Sequence, residues 1–326
     1  MILPDFLIVG TNKSGTSSLA NYLNIHPQVY MPSIEPHYFD NDNNYMKGIE
    51  WYQSFFKNGQ RKKVLERGYK LYLKLFKRSK EKFILINNKK LKNYKSKLLF
   101  GEKSPTYCLS RRAARRIAFH LPDVKLIWIF RNPVDRAYSE YLYNYSHGAV
   151  RLSFEDTLKL GDKAKKYHIG IQNCNYVKIG VYSEQIKMYL KYFDKKNMIF
   201  LLFENLIENP EETLNKVFKF LKVDDKFENF NNIKVNVTTF PKNNFILWLL
   251  RLVYNKFTRL FGKPPATYYI YAITYIILEQ IVIRNNLERP AMNNQTKKEL
   301  IQFYEPYNKD LAELTNLNLN KWNNLE

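Results

Sequence analysis

The sequence predicts an α/β fold, a P-loop-like three-layer arrangement with a mostly parallel central sheet and helices on both faces. Three observations predict it. Phe6–Val9 is a short apolar run that enters a loop of small residues, Gly10–Ser17, and then a helical pattern through Leu19, Tyr22 and Leu23. Val124–Phe130 is a second apolar run, interrupted only by Lys125, with the length and composition of a central parallel strand. Between and beyond these runs, strand patterns alternate with helical ones, as in sheets covered on both faces.

Taken in order, the first helix starts near Ser17 or Ser18, and His26–Pro32 reads as a turn with a short strand. Tyr45–Phe56 is aromatic and helical. Lys97–Phe100 reads as a strand entering Gly101–Tyr107, and Arg111–His120 as a basic helix. After the strand ending at Phe130, Pro133 is placed to open a helix, since its missing N–H costs nothing in the first turn. That helix carries Arg136, Ser139 and Tyr143 at spacings of 3 and 4. Helices near Phe154–Leu160 and Tyr176–Phe193, a strand over Met198–Phe203, a helix over Glu211–Leu221 and one or two helices over Gln295–Leu314 complete the pattern. No break in composition marks a second domain, so one domain spans 1–326. Segments 57–100, basic and helical, and 241–285, apolar and basic with Pro264-Pro265 inside, read as insertions.

The chain of 326 residues is 45% hydrophobic, long enough and apolar enough for a sizeable core. Its net charge of +22 favours polyanionic partners: nucleic acid, an anionic membrane or an acidic polysaccharide. Residues 57–116 hold 21 Lys and Arg against 3 Glu and no Asp. Within them Lys63, Arg67, Lys70, Lys74 and Lys77 recur at helical spacing, an amphipathic helix with one basic stripe or a solvated face. Cys108 and Cys174 have neither metal-ligand spacing nor a disulfide framework. Strand by residue 6 leaves no room for a signal peptide, and Tyr268–Ile283, with Glu279 and Gln280, falls short of a membrane span. A cytoplasmic protein is expected, with peripheral membrane contact as an option.

The Gly10–Ser17 loop is how a chain builds an anion cradle. Loop amides and the positive end of the following helix converge on one spot, and Lys13 adds a full charge. Gly10 and Gly15 have the spacing of a nucleotide-binding P-loop, but Thr16 stands where that motif needs its lysine. Soon after comes Glu35-Pro-His37-Tyr-Phe-Asp40, which packs a carboxylate and an imidazole into three positions.

Thr11-Asn-Lys13-Ser-Gly-Thr-Ser17 resembles the 5′-phosphosulfate loop of sulfotransferases that use 3′-phosphoadenosine 5′-phosphosulfate (PAPS). Arg131-Asn-Pro-Val-Asp-Arg-Ala-Tyr-Ser139 resembles their 3′-phosphate motif, an Arg at a strand end with a Ser eight residues on. Glu35–Asp40 and Gly101-Glu-Lys103-Ser-Pro-Thr-Tyr107 resemble the heparan sulfate sulfotransferases and their bacterial relatives, as do Arg289-Pro290, Tyr304-Glu-Pro-Tyr307 and Trp322. Through this resemblance, Lys13, Ser14, Gly15, Thr16 and Ser17 hold the phosphosulfate, and Arg131, Ser139 and Arg289 the 3′-phosphate. Arg131 suits that task because a planar guanidinium grips two phosphate oxygens at once. The same resemblance makes Glu35 the general base for the acceptor hydroxyl. Lys13 and Lys103 would then stabilise charge at the bridging and departing oxygens, and His37 would orient Glu35 or touch the acceptor.

The resemblance thus implies sulfuryl transfer from PAPS, without a metal, to a hydroxyl or amine of a carbohydrate or glycolipid. The basic stripe would gather an anionic polysaccharide or membrane surface, and nucleic acid is not the expected partner. Two features depart from the family: Ser17 stands where the heparan sulfate enzymes often carry arginine, and the 57–100 insertion has no counterpart in compact members. Rival readings are a sulfotransferase for small phenols or lipids, a nucleotide kinase on the same fold, and a non-catalytic polyanion-binding protein.

Overall fold

The computed structural model describes residues 2–32, 34–56, 98–147, 149–150, 152–161, 163, 175–224 and 290–323. The basic stripe at 63–77 and the 241–285 insertion lie outside the described residues. Of the segment 57–100, residues 98–100 are described, and Leu99 and Phe100 belong to a strand of the sheet, in line with the strand expected over Lys97–Phe100.

Among the described residues the sheet has five parallel strands: β1 (Phe6–Gly10), β2 (Val29–Tyr30), β3 (Leu99–Lys103), β4 (Lys125–Phe130) and β5 (Met198–Leu202), in the order β2-β3-β1-β4-β5. β1 is central and buried along its whole length, which explains its unbroken apolar run. Phe6 pairs with Gly101, and a Cβ there would fall 2.1 Å from the Phe6 ring, so the glycine makes room for the phenyl group.

Alternate strand residues face opposite layers. On one side Phe6, Ile8, Ile127, Ile129 and Leu201 pack with Leu19 and Leu23 of α1 (Thr16–Ile25) and Leu214, Val217 and Phe218 of a later helix, Pro210–Leu221. On the other, Trp128 meets Tyr189 edge-on at 4.9 Å and Phe130 meets Tyr182 at 5.0 Å. Two short helices, α2 (Asp42–Tyr45) and α3 (Gly48–Gln53), follow β2, and α4 (Arg111–His120) follows β3 over the span its periodicity predicts.

The chain clusters into two compact units. The first holds the sheet and comprises 1–131, 182–235 and 307–318; the second comprises 132–181, 236–306 and 319–326. The second unit includes α5 (Pro133–Ser146), opened as expected by Pro133, with the Asn132 side chain accepting the Val134 N–H at 3.0 Å. It also includes α6 (Phe154–Leu160) and α7 (Tyr176–Ile179). Its core is aromatic: Tyr138, Tyr141, Phe154, Tyr176 and Tyr304 cluster with Val134, Leu142 and Leu300.

One expected element divides. The periodicity of Tyr176–Phe193 predicts a single helix, whereas α7 stops at Ile179 and α8 (Tyr182–Tyr189) starts afresh. Gly180 lies at the break, and a Cβ there would meet the Tyr304 hydroxyl at 2.7 Å and Pro133 at 3.0 Å. After β5 come α9 (Phe203–Glu208) and α10 (Pro210–Leu221), and the last helix, α11 (Asn294–Thr315), runs through Pro306 without ending. Cys108 is buried and its thiol donates to Pro105 O at 3.1 Å, and Cys174 lies outside the described residues.

Candidate active site

The loops after β1, β3 and β4 leave the same carboxyl edge of the sheet. Connections from β1 and β4 run to opposite sides, and such a switch point is where open parallel sheets bind ligands. Thr11 ties the loop across it: its N–H donates to Ile129 O at 2.9 Å and its hydroxyl to the same oxygen at 3.1 Å. The Ser14 hydroxyl lies 2.6 Å from that of Thr11. Lys13 and Gly15 adopt positive φ of 66° and 86°, and Gly15 is the N-cap of α1. Among the described residues no side chain caps the helix, and its first turn holds no acidic residue. The leading amides of a helix have no partner within it, so this end suits an anion.

A Cβ on Gly15 would sit 2.5 Å from Phe203, the residue that opens α9. The Arg131 guanidinium lies over the same ring, 4.8 Å from its centre, and donates to Lys13 O at 3.5 Å. Arg131 O accepts from Tyr182 at 2.9 Å. Arg131 is therefore held beside the loop, as its position at the end of β4 suggests.

The second cluster joins β3 to the segment after β2. Lys103 donates to the Ser17 hydroxyl at 2.9 Å and forms an ion pair with Glu35 Oε1. His37 lies between two carboxylates, with Nε2 3.2 Å from Glu35 and Nδ1 3.3 Å from Asp40. Thr106 donates to the same Asp40 oxygen at 2.5 Å. Hydrogen bonds to Asp40 and Glu35 raise the His37 pKa to about 10 against a smaller opposing effect of burial, so the ring is an imidazolium at neutral pH. For Glu35, burial pushes the pKa up, but His37 and Lys103 together outweigh it and the carboxyl stays below its usual range. Glu35 is therefore ionised, half-buried and held by two cations.

The structure thus brings Glu35, His37, Lys103 and Ser17 into one connected group, and Arg131 against the Lys13 backbone. Ser14 and Thr16 are buried in the loop and the first turn of α1. Ser139 is half-buried in α5 of the second unit, and Arg289 lies outside the described residues. Sequence reasoning gave no role to Asp40, Ser104 or Thr106, although each lies inside a motif already singled out. Phe203 carried no local signal, because only the fold brings the start of α9 under the loop.

A family model described as a sulfotransferase domain matches residues 3–244. The chain is 28% identical over 320 residues to the Mus musculus bifunctional heparan sulfate N-deacetylase/N-sulfotransferase 4, covering 96% of this chain and 30% of that protein. It is 31% identical over 237 residues to the Homo sapiens heparan sulfate glucosamine 3-O-sulfotransferase 6, covering 71% of this chain and 57% of that protein. The chain therefore matches less than two thirds of the length of either relative. Among solved structures, a sulfotransferase from Alicyclobacillus acidocaldarius shares the fold, with a TM-score of 0.61 and 22% identity over 99% of this chain and 100% of that one.

Proposed function

The chain belongs to the sulfotransferase domain family, and on that premise we propose that it moves a sulfuryl group from PAPS to a hydroxyl or amine of a carbohydrate or glycolipid acceptor. The observation that carries this reading is the chain of contacts from Glu35 through Lys103 to Ser17. It sets an ionised carboxylate beside a helix end suited to anions. A carbohydrate acceptor is favoured by the names of the heparan sulfate relatives.

The residues fit such a donor. The amides of Gly15, Thr16 and Ser17, with the Lys13 and Lys103 ammonium groups, suit a phosphosulfate, and the Arg131 guanidinium suits the separate 3′-phosphate. The same resemblance gives Ser139 and Arg289 to the 3′-phosphate. When bound, PAPS supplies the electrophilic sulfur and a leaving phosphate. Glu35 takes the proton of the acceptor hydroxyl as that oxygen attacks. Lys13 and Lys103 offset the charge that builds on the departing oxygens, so the chemistry needs no metal.

Lys103 has a second effect. It touches both Ser17 and Glu35, so an anion at the start of α1 competes with Glu35 for its ammonium group. Loosening that pair raises the basicity of Glu35 when the donor is present. On this reading the charges of Lys63, Arg67, Lys70, Lys74 and Lys77 add long-range attraction for an anionic acceptor or membrane surface. The deciding experiment is transfer of labelled sulfate from PAPS to a panel of glycans, glycolipids and phenols. Transfer to glycans or glycolipids supports the reading, transfer to phenols alone moves the acceptor class, and no transfer with any acceptor sinks it.

A further inference from the structure

Behind the Glu35–His37 pair lies a second, fully buried carboxylate that the proposed chemistry does not use. Glu102 of β3 has no exposed surface. Tyr52 of α3 donates to its Oε2, and the Ser104 hydroxyl donates to its Oε1 at 2.6 Å. The Ser104 oxygen in turn accepts the backbone N–H of His37 at 3.2 Å. His37 has a φ of 46°, a left-handed conformation that a residue with a Cβ adopts only when its surroundings hold it there. On the carbonyl side, Asn44 Nδ2 donates to Pro36 O at 3.1 Å and to His37 O at 3.2 Å. The backbone of His37 is thus pinned at both ends, by Ser104 and by Asn44. Its ring lies within hydrogen-bonding distance of both Glu35 and Asp40 from that one placement.

We infer that Glu102, acting through Ser104, is a positioning residue that holds His37 between Glu35 and Asp40. An ionised carboxylate only accepts, so it fixes the direction of the Ser104 hydroxyl and leaves the serine oxygen open to the His37 N–H. A protonated acid or an amide turns one donor of its own into the same space, and the serine hydroxyl loses its fixed direction. Burial lifts Glu102 to about 7 against the opposing hydrogen bonds of Ser104, Tyr52 and Tyr107 and the charge of His37. The Tyr189 hydroxyl of α8, which donates to Tyr107 O at 2.8 Å, also interacts with Glu102 electrostatically. The arrangement is therefore tightest above neutrality, where Glu102 is ionised.

The inference rests on the proposed transfer reaction for its kinetic readout, but not for its structural one. The experiment pairs Ser104→Ala, Ser104→Thr and Glu102→Gln with two measurements, turnover of PAPS with the best acceptor of the panel and an NMR titration of the His37 imidazole. Ser104→Ala is expected to lower kcat by about 10- to 100-fold, the scale on which a misplaced catalytic group is felt, with the donor KM unchanged. Its His37 titration should fall from near 10 towards the ordinary 6.5, while Ser104→Thr keeps the hydroxyl and restores both. Glu102→Gln should follow Ser104→Ala; if it fails to fold, the serine pair decides alone. A His37 titration unchanged in Ser104→Ala overturns the inference, whatever the loss in melting temperature. If the parent transfers no sulfate, the proposed function falls while the titration still decides the role of Ser104.

Discussion

In the loop between β1 and α1, the polar groups are mostly backbone amides and hydroxyls, shaped by positive φ at Lys13 and Gly15. In the segment from Glu35 to Asp40, they are charged side chains held by one another. The first region recognises charge through its shape, and the second tunes proton affinity through its neighbours. Substitutions should therefore act through geometry in one region and through titration in the other.

The largest effect is expected where the chemistry is concentrated. Glu35→Gln keeps the shape and removes the base, and turnover should fall roughly 10²–10⁴-fold, the usual contribution of a general base. Binding of the desulfated product, 3′-phosphoadenosine 5′-phosphate, should hardly change by calorimetry. Near-normal turnover would remove Glu35 from that role and leave the charged cluster as a binding element.

Next comes Arg131→Ala, which should weaken binding of the same product about 10- to 100-fold, the worth of a hydrogen bond to a charged group. A ligand without the 3′-phosphate should lose almost nothing. An equal loss with both ligands would place Arg131 elsewhere in the site and blur the division between the regions.

Gly15→Ala tests shape alone. A Cβ at φ 86° must also avoid Phe203 at 2.5 Å. The left-handed conformation by itself costs about 1–2 kcal/mol, so product affinity should drop about tenfold. The His37 titration should stay where it is, and a shift would show that the two regions are coupled.

The smallest effect is in stability against pH. His37 is raised in the folded state, so its contribution is complete below its unfolded value of 6.5 and is lost as pH rises through about 10. Glu102 acts with the same sign lower down: its contribution is present below 4.5 and lost as pH rises through about 7. Melting temperature should therefore decline more steeply between pH 7 and 10 in the parent than in His37→Gln. Parallel curves would mean that His37 gains little from its two carboxylates.

Much of this was legible in the sequence because it depends on local pattern. The apolar runs at Phe6–Val9 and Val124–Phe130 predict buried parallel strands, and the helix over Arg111–His120 follows from its periodicity. Glu35, His37 and Lys103 stand out within short motifs rich in ionisable groups, and the structure connects them. The break at Gly180 was not legible, because periodicity continues across it and the close approach of Tyr304 and Pro133 is not a local property.

By itself the sequence determined the strand and helix types, the small-residue loop with its lysine, and the short motif that sets Glu35 two residues from His37. These follow from side-chain period, backbone freedom at glycine and charge, all of which act within a few residues. Only the tertiary structure decided that Phe203 would lie beneath both Gly15 and Arg131, that Lys103 would reach Ser17 as well as Glu35, and that Glu102 would stand behind His37. Those contacts join residues far apart in the chain. They exist because the parallel order β2-β3-β1-β4-β5 brings the ends of β1, β3 and β4 to one edge, and no local pattern encodes that order.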